Sequence, residues 1–258
     1  MERKIMRTGI TSSAHPLRIA MWSGPRNIST AMMRAFENRP HCFVSDEPLY
    51  GAWLEMTGED HPMRDEIIRE METDWRKVTG MLTGPVPESR PIWYQKHMTH
   101  HLLPEMLQRD WLSKLSHVFL IRDPTAVVAS YLKKRDTVSA EDIGVPQQWA
   151  LYRFATGELG QDPPVIDSGE FLGNPEAHLR ALCAYLGIDF MPQMLAWPPG
   201  PRETDGPWAP HWYQRVWEST GFGPPPAQAP HLTGRARDVA SCCGPVYEKL
   251  RERRLQPD

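Results

Sequence analysis

The sequence lacks the features that mark several large classes of protein. Its four cysteines, among 258 residues, form neither a zinc-ligand spacing nor a disulfide pattern. We find no signal peptide and no apolar run long enough to span a membrane, so we expect a cytoplasmic protein without a membrane partner. The formal net charge of −3 gives no general attraction to nucleic acid, and the basic residues should therefore act locally.

The sequence also lacks a Gly-Lys-Ser/Thr triplet, and with it the Walker A loop of ATP-using enzymes. Residues 18–36 instead predict a short apolar strand, a tight turn and a helix for which Ser29 and Thr30 are suitable N-caps. The unpaired N–H groups at the start of such a helix favour an anion, and Arg26 adds a permanent positive charge beside them. The pattern predicts a phosphate-binding loop, although an ordinary strand–turn–helix fits this segment alone equally well.

A second segment has the same form. Residues 117–121 predict a buried strand that leads into Arg122 and then a helix, with Asp123 as its N-cap and Pro124 in the first helical position. Ser130 lies seven residues beyond the cap and on the same face. Arg122 and Ser130 can therefore hold one oxyanion from two sides, although this segment alone is also typical of a well-capped surface helix.

Taken together, the two segments resemble the nucleotide-binding motifs of the sulfotransferases that use 3′-phosphoadenylyl sulfate (PAPS). Residues 25–30 are similar to the 5′-phosphosulfate loop of that family, and residues 122–130 to its 3′-phosphate motif. Residues 164–188 are similar to the strand, acidic turn and helix that close the family's nucleotide-binding core. The resemblance implies PAPS as the co-substrate, no metal, and nucleotide-binding roles for Arg26, Asn27, Ile28, Ser29, Thr30, Arg122 and Ser130.

Two positions of the first motif depart from the usual family pattern. Arg26 replaces the usual lysine, as in the carbohydrate and tyrosylprotein branches of the family. Ile28 replaces the usual glycine, which leaves open a protein that binds nucleotide without catalysing transfer.

The chain alternates strand and helix patterns. Strands are predicted at residues 18–22, 41–45, 92–96, 118–121 and 165–167, with a charged amphipathic helix over residues 63–81 among the intervening helices. This order predicts an α/β fold with a parallel sheet covered by helices on both faces, in the three-layer architecture of the P-loop NTPases. Ligands of such sheets bind at the carboxyl ends of the strands, where the motifs lie.

One domain is predicted over residues 17–258, after a disordered tail at residues 1–16. Within it, residues 191–230 are rich in tryptophan and proline. They are expected to form either an irregular cap that shapes an acceptor pocket or a tail that wraps the core.

Sulfuryl transfer requires charge stabilisation on the leaving phosphate, for which Arg26 is suited, and a base for the acceptor proton. Glu47 follows the second predicted strand, where we expect it beside the phosphate loop, and Pro48 favours an extended backbone there. His97 follows Lys96 on the third strand, one residue short of the histidine pattern in the family's cytosolic branch. Since Arg26 resembles the branch that uses an acid, we favour Glu47 over His97.

Three function classes remain open from the sequence. The first is a PAPS-dependent sulfotransferase acting on a hydroxyl or amine of a small molecule or sugar. The second is an ATP-dependent P-loop phosphotransferase or hydrolase, which the missing Walker A loop disfavours. The third is a nucleotide-binding module without catalysis. His97, His100 and His101 have partly metal-like spacing, but no acidic or cysteine set completes a site, and packing is the favoured interpretation.

Overall fold

The computed structural model describes residues 16–225 and 231–257. Five parallel strands form one sheet in the order β2-β3-β1-β4-β5. The strands are β1 (Leu17–Ser23), β2 (Cys42–Asp46), β3 (Ile92–Met98), β4 (Ser116–Ile121) and β5 (Val165–Asp167). Each predicted strand is therefore present, with bounds that agree to within two residues. The predicted tail at residues 1–16 lies outside the described residues except for Pro16.

Helices connect and cover the strands. They are α1 (Ser29–Glu37), α2 (Tyr50–Thr57), α3 (Arg64–Glu70), α4 (Trp75–Leu82), α5 (Arg109–Leu112), α6 (Pro124–Tyr131), α7 (Val145–Gly157), α8 (Ser168–Gly173), α9 (Pro175–Tyr185), α10 (Ala209–Trp212), α11 (Gln214–Trp217) and α12 (Gly234–Arg251). The prediction of one helix over residues 63–81 is wrong, because this segment forms two helices, α3 and α4, with non-helical residues between them. Asp74 begins α4 anew, since its side chain accepts a hydrogen bond from the backbone N–H of Arg76.

The core lies on both faces of the sheet. Neighbouring residues of a strand point to opposite faces, so Trp93 packs on one side of β3 and Tyr94 on the other. Helices α4, α7 and α12 cover the first face, and α1, α8 and α9 cover the second. This arrangement confirms the predicted α/β fold with a parallel sheet between two helical layers.

The strand order places β3 between β1 and β2. In this register Trp22 of β1 pairs with His97, and Asp46 of β2 pairs with Lys96. The expectation that Glu47 follows a strand next to the phosphate loop is therefore wrong, since β3 intervenes. All three strands still end at the same edge of the sheet, where the candidate site lies.

The tryptophan- and proline-rich segment is anchored to the helices around the sheet. Arg34 of α1 is buried and its guanidinium forms a 2.5 Å ion pair with Asp205. Trp208 is also buried and its ring packs edge-on against Tyr50 of α2. The segment thereby brings α10 and α11 to the carboxyl end of the sheet. No helix of the described ranges has the length and apolar character needed to cross a bilayer.

Candidate active site

The phosphate loop has an unusual backbone. Arg26 and Ile28 have left-handed φ angles of 59° and 47°. The expectation that Ser29 or Thr30 caps α1 is wrong, because Ile28 is the N-cap and no side chain caps this helix. A left-handed residue in a loop turns successive N–H groups toward one point, forming an anion-binding nest. The first helical bond runs from Met32 N to the Ile28 carbonyl, so the N–H groups before it are available to an anion.

Three arginines converge on this loop. Burial lowers the pKa of Arg26, and the positive charges of Arg215 and Arg122 lower it further. Within the described part of the chain, none of the three guanidinium groups forms a salt bridge with a carboxylate. Asp123 and Asp167 act on Arg122 without forming a salt bridge with it. Like charges held together without a salt-bridged carboxylate favour a bound anion, since the anion relieves their repulsion.

The two predicted nucleotide-binding motifs meet in space. The Nε atom of Arg26 donates a hydrogen bond of 3.1 Å to the Ser130 hydroxyl on α6. Arg122 donates to the Arg26 carbonyl at 2.6 Å. Asn27 is buried, and its side-chain amide donates to the Leu120 carbonyl, which ties the loop to the end of β4. The predicted N-cap Asp123 is confirmed, because its carboxylate accepts from the first N–H groups of α6.

A buried charge cluster lies at the ends of β2 and β3. The Lys96 ammonium group contacts Asp46 at 2.7 Å, Glu47 at 2.5 Å and the Tyr213 hydroxyl at 2.7 Å. That hydroxyl donates in turn to the second carboxylate oxygen of Asp46 at 2.7 Å. Two carboxylates and one ammonium share the site, so Lys96 cannot fully neutralise both acids. The prediction of an extended backbone at Glu47 is wrong, since its φ is 41°.

This cluster perturbs the pKa values of its members. Burial raises the pKa of Glu47 to about 7; Lys96 opposes the rise and Asp46 adds to it. Burial pulls the pKa of Lys96 down, but Asp46 and Glu47 outweigh it and hold this pKa well above its usual value. A carboxylate with a pKa near 7 that is held by a permanent cation has the properties of a general base.

His97 lies on the opposite face of β3 from Lys96. It is 1% exposed, and its ring stacks on Trp22 at 4.2 Å between centroids. Burial, together with the neighbouring His117 and Lys96, lowers its pKa to about 3. The structure therefore does not bring His97 and Glu47 together, and it surrounds His97 with core side chains.

Of the other two histidines of the predicted cluster, His101 lies beside Glu47 and His100 contacts His101. His101 stacks on Tyr50 at 4.3 Å, and its Nδ1 atom lies 3.9 Å from a carboxylate oxygen of Glu47. His100 packs edge-on against Trp53 at 5.4 Å. Across residues 16–225 and 231–257, no group of three or more histidine, cysteine or acidic side chains is arranged to hold a metal ion. The interpretation as packing histidines accounts for these contacts.

A cavity of about 240 Å³ opens next to this histidine pair. Its walls come from α2, the loops at residues 57–61 and 135–147, the end of α6 and residues 100–103. The lining side chains are Trp53, Thr57, Glu59, His61, His100, Leu103, Tyr131, Arg135, Glu141, Asp142 and Gln147. Tyr131 follows Ser130 in α6, and His100 contacts His101, which lies beside Glu47.

Comparison with known proteins identifies the family to which this chain belongs. The family model described as "Sulfotransferase domain" matches residues 17–254. The chain belongs to the sulfotransferase family. Two sulfotransferase structures share the fold of this sulfotransferase: the domain from the curacin biosynthetic pathway, with a TM-score of 0.51, and the domain from the Synechococcus PCC 7002 olefin synthase, with 0.55. They are 18% and 17% identical, cover 88% and 91% of this chain, and are themselves covered to 97% and 95%.

Two curated relatives are longer proteins of Arabidopsis thaliana, named branched-chain-amino-acid aminotransferase-like proteins 2 and 1. Each is 36% identical to this chain, over 90% and 92% of its length. The chain spans 41% and 42% of these relatives, about two fifths of their length.

Sequence reasoning missed Arg215, Tyr213 and the role of Lys96. A lysine in a predicted strand was a usable signal, since a buried lysine requires acidic partners. Arg215 lies in the short helix α11 and Tyr213 lies between α10 and α11. Nothing in their local sequence indicates that they approach Arg26 and Lys96.

Proposed function

We propose that this sulfotransferase transfers a sulfuryl group from PAPS to a hydroxyl or amine of a small-molecule or sugar acceptor. The convergence of Arg26, Arg122 and Arg215 on a loop with free N–H groups carries the proposal. A donor with phosphate groups at two ends requires such a set of fixed positive charges. The geometry supports this donor, because Ser130 on α6 and Arg122 directly after β4 both contact Arg26 in the phosphate loop.

In the proposed reaction the acceptor oxygen or nitrogen attacks the sulfur atom, and the bond from sulfur to the 5′-phosphate oxygen breaks. Negative charge develops on that phosphate, which leaves as part of adenosine 3′,5′-bisphosphate. Arg26 and the N–H groups at the start of α1 stabilise this charge, and they need little rearrangement because the fold already fixes them. Arg122 and Ser130 hold the 3′-phosphate.

Glu47 removes the acceptor proton in this mechanism. Its pKa of about 7 leaves a large fraction ionised at neutral pH while keeping it basic enough to take a proton. Lys96 holds the carboxylate in place through the 2.5 Å contact, and Asp46 and Tyr213 fix Lys96 in turn. His97 is the weaker candidate, because its burial against Trp22 separates it from an acceptor.

Nucleotide binding tests the proposal. We expect adenosine 3′,5′-bisphosphate to bind more tightly than AMP or ATP, since each strong charge-assisted contact to the 3′-phosphate contributes about 1.5–3 kcal/mol. Calorimetric titration measures the affinities, and Arg122→Ala should remove most of the preference over AMP. Arg153→Ala, on the exposed face of α7, is the matched control. Equal affinity of the unchanged protein for AMP and the bisphosphate contradicts the proposed donor.

A further inference from the structure

The cavity is connected to Glu47 through the rings of His100 and His101. His100, on its wall, packs against His101 at 4.3 Å between ring centroids, and His101 reaches Glu47. Tyr131, on another wall, follows Ser130 of the proposed donor site. Its volume of about 240 Å³ is below the range of about 300–1,000 Å³ found for drug-sized ligands. A small metabolite therefore fits better than an oligosaccharide.

The charges that line this cavity are mostly negative. Glu59, Glu141 and Asp142 face one cation, Arg135, and none of these four side chains forms a salt bridge with a described residue. Burial and Asp142 raise the pKa of Tyr131, and Arg135 lies close enough to this side of the wall to oppose that rise. It thus offsets one of the three carboxylates and leaves two in excess.

The two histidines in the wall do not restore the balance. Burial lowers the pKa of His61 to about 4 and that of His100 to about 3, so both rings are neutral near pH 7. The cavity therefore has a formal charge of −2 at neutral pH.

Two features of the wall are matched to a bound ammonium group. The Oε1 atom of Gln147 is buried and has no hydrogen-bond donor among the residues the structure describes. The rings of Trp53 and Tyr131 face the same space, and no described lysine or arginine lies over either of them. An ammonium ion can donate to the amide oxygen, or lie against an aromatic face, while the carboxylates compensate its charge.

We propose that the acceptor is a small amino alcohol or diamine that carries a cationic nitrogen, bound in this cavity by Glu59, Glu141 and the faces of Trp53 and Tyr131. This inference rests on the proposed function, because it assigns the acceptor side of the same reaction. The cationic nitrogen anchors the molecule, and its hydroxyl or neutral amine is the group that Glu47 deprotonates.

Three alcohols test the role of charge. Choline has a quaternary ammonium group, 3,3-dimethylbutan-1-ol has the same shape without the charge, and 3-hydroxypropanoate is an anion. We expect choline to bind at least about tenfold more tightly than its neutral isostere, and the anion not to bind. Calorimetry measures binding to the full chain, both alone and saturated with adenosine 3′,5′-bisphosphate. Equal binding of choline and the neutral isostere, or no binding of choline, overturns the proposal.

Variants assign the preference to the cavity. Glu59→Gln combined with Glu141→Gln should reduce choline affinity about tenfold and leave the neutral alcohol unaffected, as expected for two partly screened charges. Asp142 is kept, because its carboxylate accepts from the Ser139 backbone N–H and supports the loop. Glu55→Gln, on α2 and outside the cavity lining, makes the same kind of charge change and should have no effect. An equal loss in the Glu55 variant contradicts the assignment.

The two proposals fail in different measurements. If adenosine 3′,5′-bisphosphate does not bind, the proposed donor is wrong, while the preference for choline is still measured on the protein alone. If the bisphosphate binds and choline has no advantage over its neutral isostere, the cationic acceptor is wrong and the donor assignment stands.

Discussion

The Tyr213 hydroxyl is the point at which the tryptophan- and proline-rich segment joins the buried charge cluster. Replacing Tyr213 with phenylalanine removes its hydrogen bonds to Lys96 and Asp46, both 2.7 Å long. The substitution also deprives the Trp208 indole of its acceptor at 3.2 Å. Neither charged group is left alone, since Lys96 keeps two carboxylates and Asp46 keeps Lys96 and the Gly206 N–H.

The size of the effect follows from these contacts. A hydrogen bond to a charged group contributes about 1.5–3 kcal/mol, and the lower end applies because both partners remain paired. We therefore expect Tyr213→Phe to reduce the free energy of unfolding by about 3 kcal/mol, measured by urea denaturation at pH 7. Tyr185→Phe is the control: this tyrosine is 49% exposed and donates only to the Asp162 carbonyl, so the loss should be at most about 0.5 kcal/mol. A Tyr213→Phe loss below about 1 kcal/mol would refute the reasoning.

Three further predictions concern the reaction and the phosphate loop. Glu47→Gln should abolish sulfuryl transfer and leave bisphosphate binding intact, whereas His97→Asn should be milder. With Glu47 present, turnover should rise as pH increases through about 7, because the ionised carboxylate accumulates over that interval, and a surviving rise in Glu47→Gln would assign it to another group. Arg26→Ala should lower kcat by about 10²–10³-fold and weaken binding much less, since its charge is needed most when the leaving phosphate becomes anionic; near-normal kcat with poorer affinity would make Arg26 a positioning residue. Ile28→Gly should be about 1 kcal/mol more stable than Ile28→Ala, because only glycine adopts a φ of 47° without cost, and chemical denaturation giving the opposite order would contradict this backbone conformation.

The sequence was sufficient to predict the strands and the sheet because their signals are local. Apolar runs such as residues 118–121 and 165–167 are flanked by turn and cap residues, and Asp123 with Pro124 marks the start of α6. Local signals are not sufficient where the same sequence pattern is compatible with one long helix and with two shorter helices. Residues 63–81 are amphipathic throughout, but the extended backbone of Met71 ends α3 and the capping contact of Asp74 begins α4.

The site was predictable only in part, because its halves are joined by tertiary contacts. The spacing of the motifs predicted Arg26, Arg122 and Ser130 as site residues, and in the structure Arg122 and Ser130 both contact Arg26. The position of β3 between β1 and β2 depends on how the strands pair, and the sequence around Glu47 gives no indication of that order. The approach of Arg215 to Arg26 depends on how residues 191–225 cross the sheet edge, which proline and tryptophan content does not determine.

The close approach at Gly24 has a consequence for how the two proposed substrates affect each other's binding. A side chain at this position would place its Cβ atom 2.3 Å from the Ile143 carbonyl, so the phosphate loop lies in backbone contact with the loop that carries Glu141 and Asp142 and leads into α7. The Thr99 hydroxyl donates to carbonyls on both sides of this contact, those of Ser23 and Gly144. We therefore expect a nucleotide in the phosphate loop to change the affinity of the cavity for the acceptor, and linkage then requires the acceptor to change nucleotide affinity by the same factor.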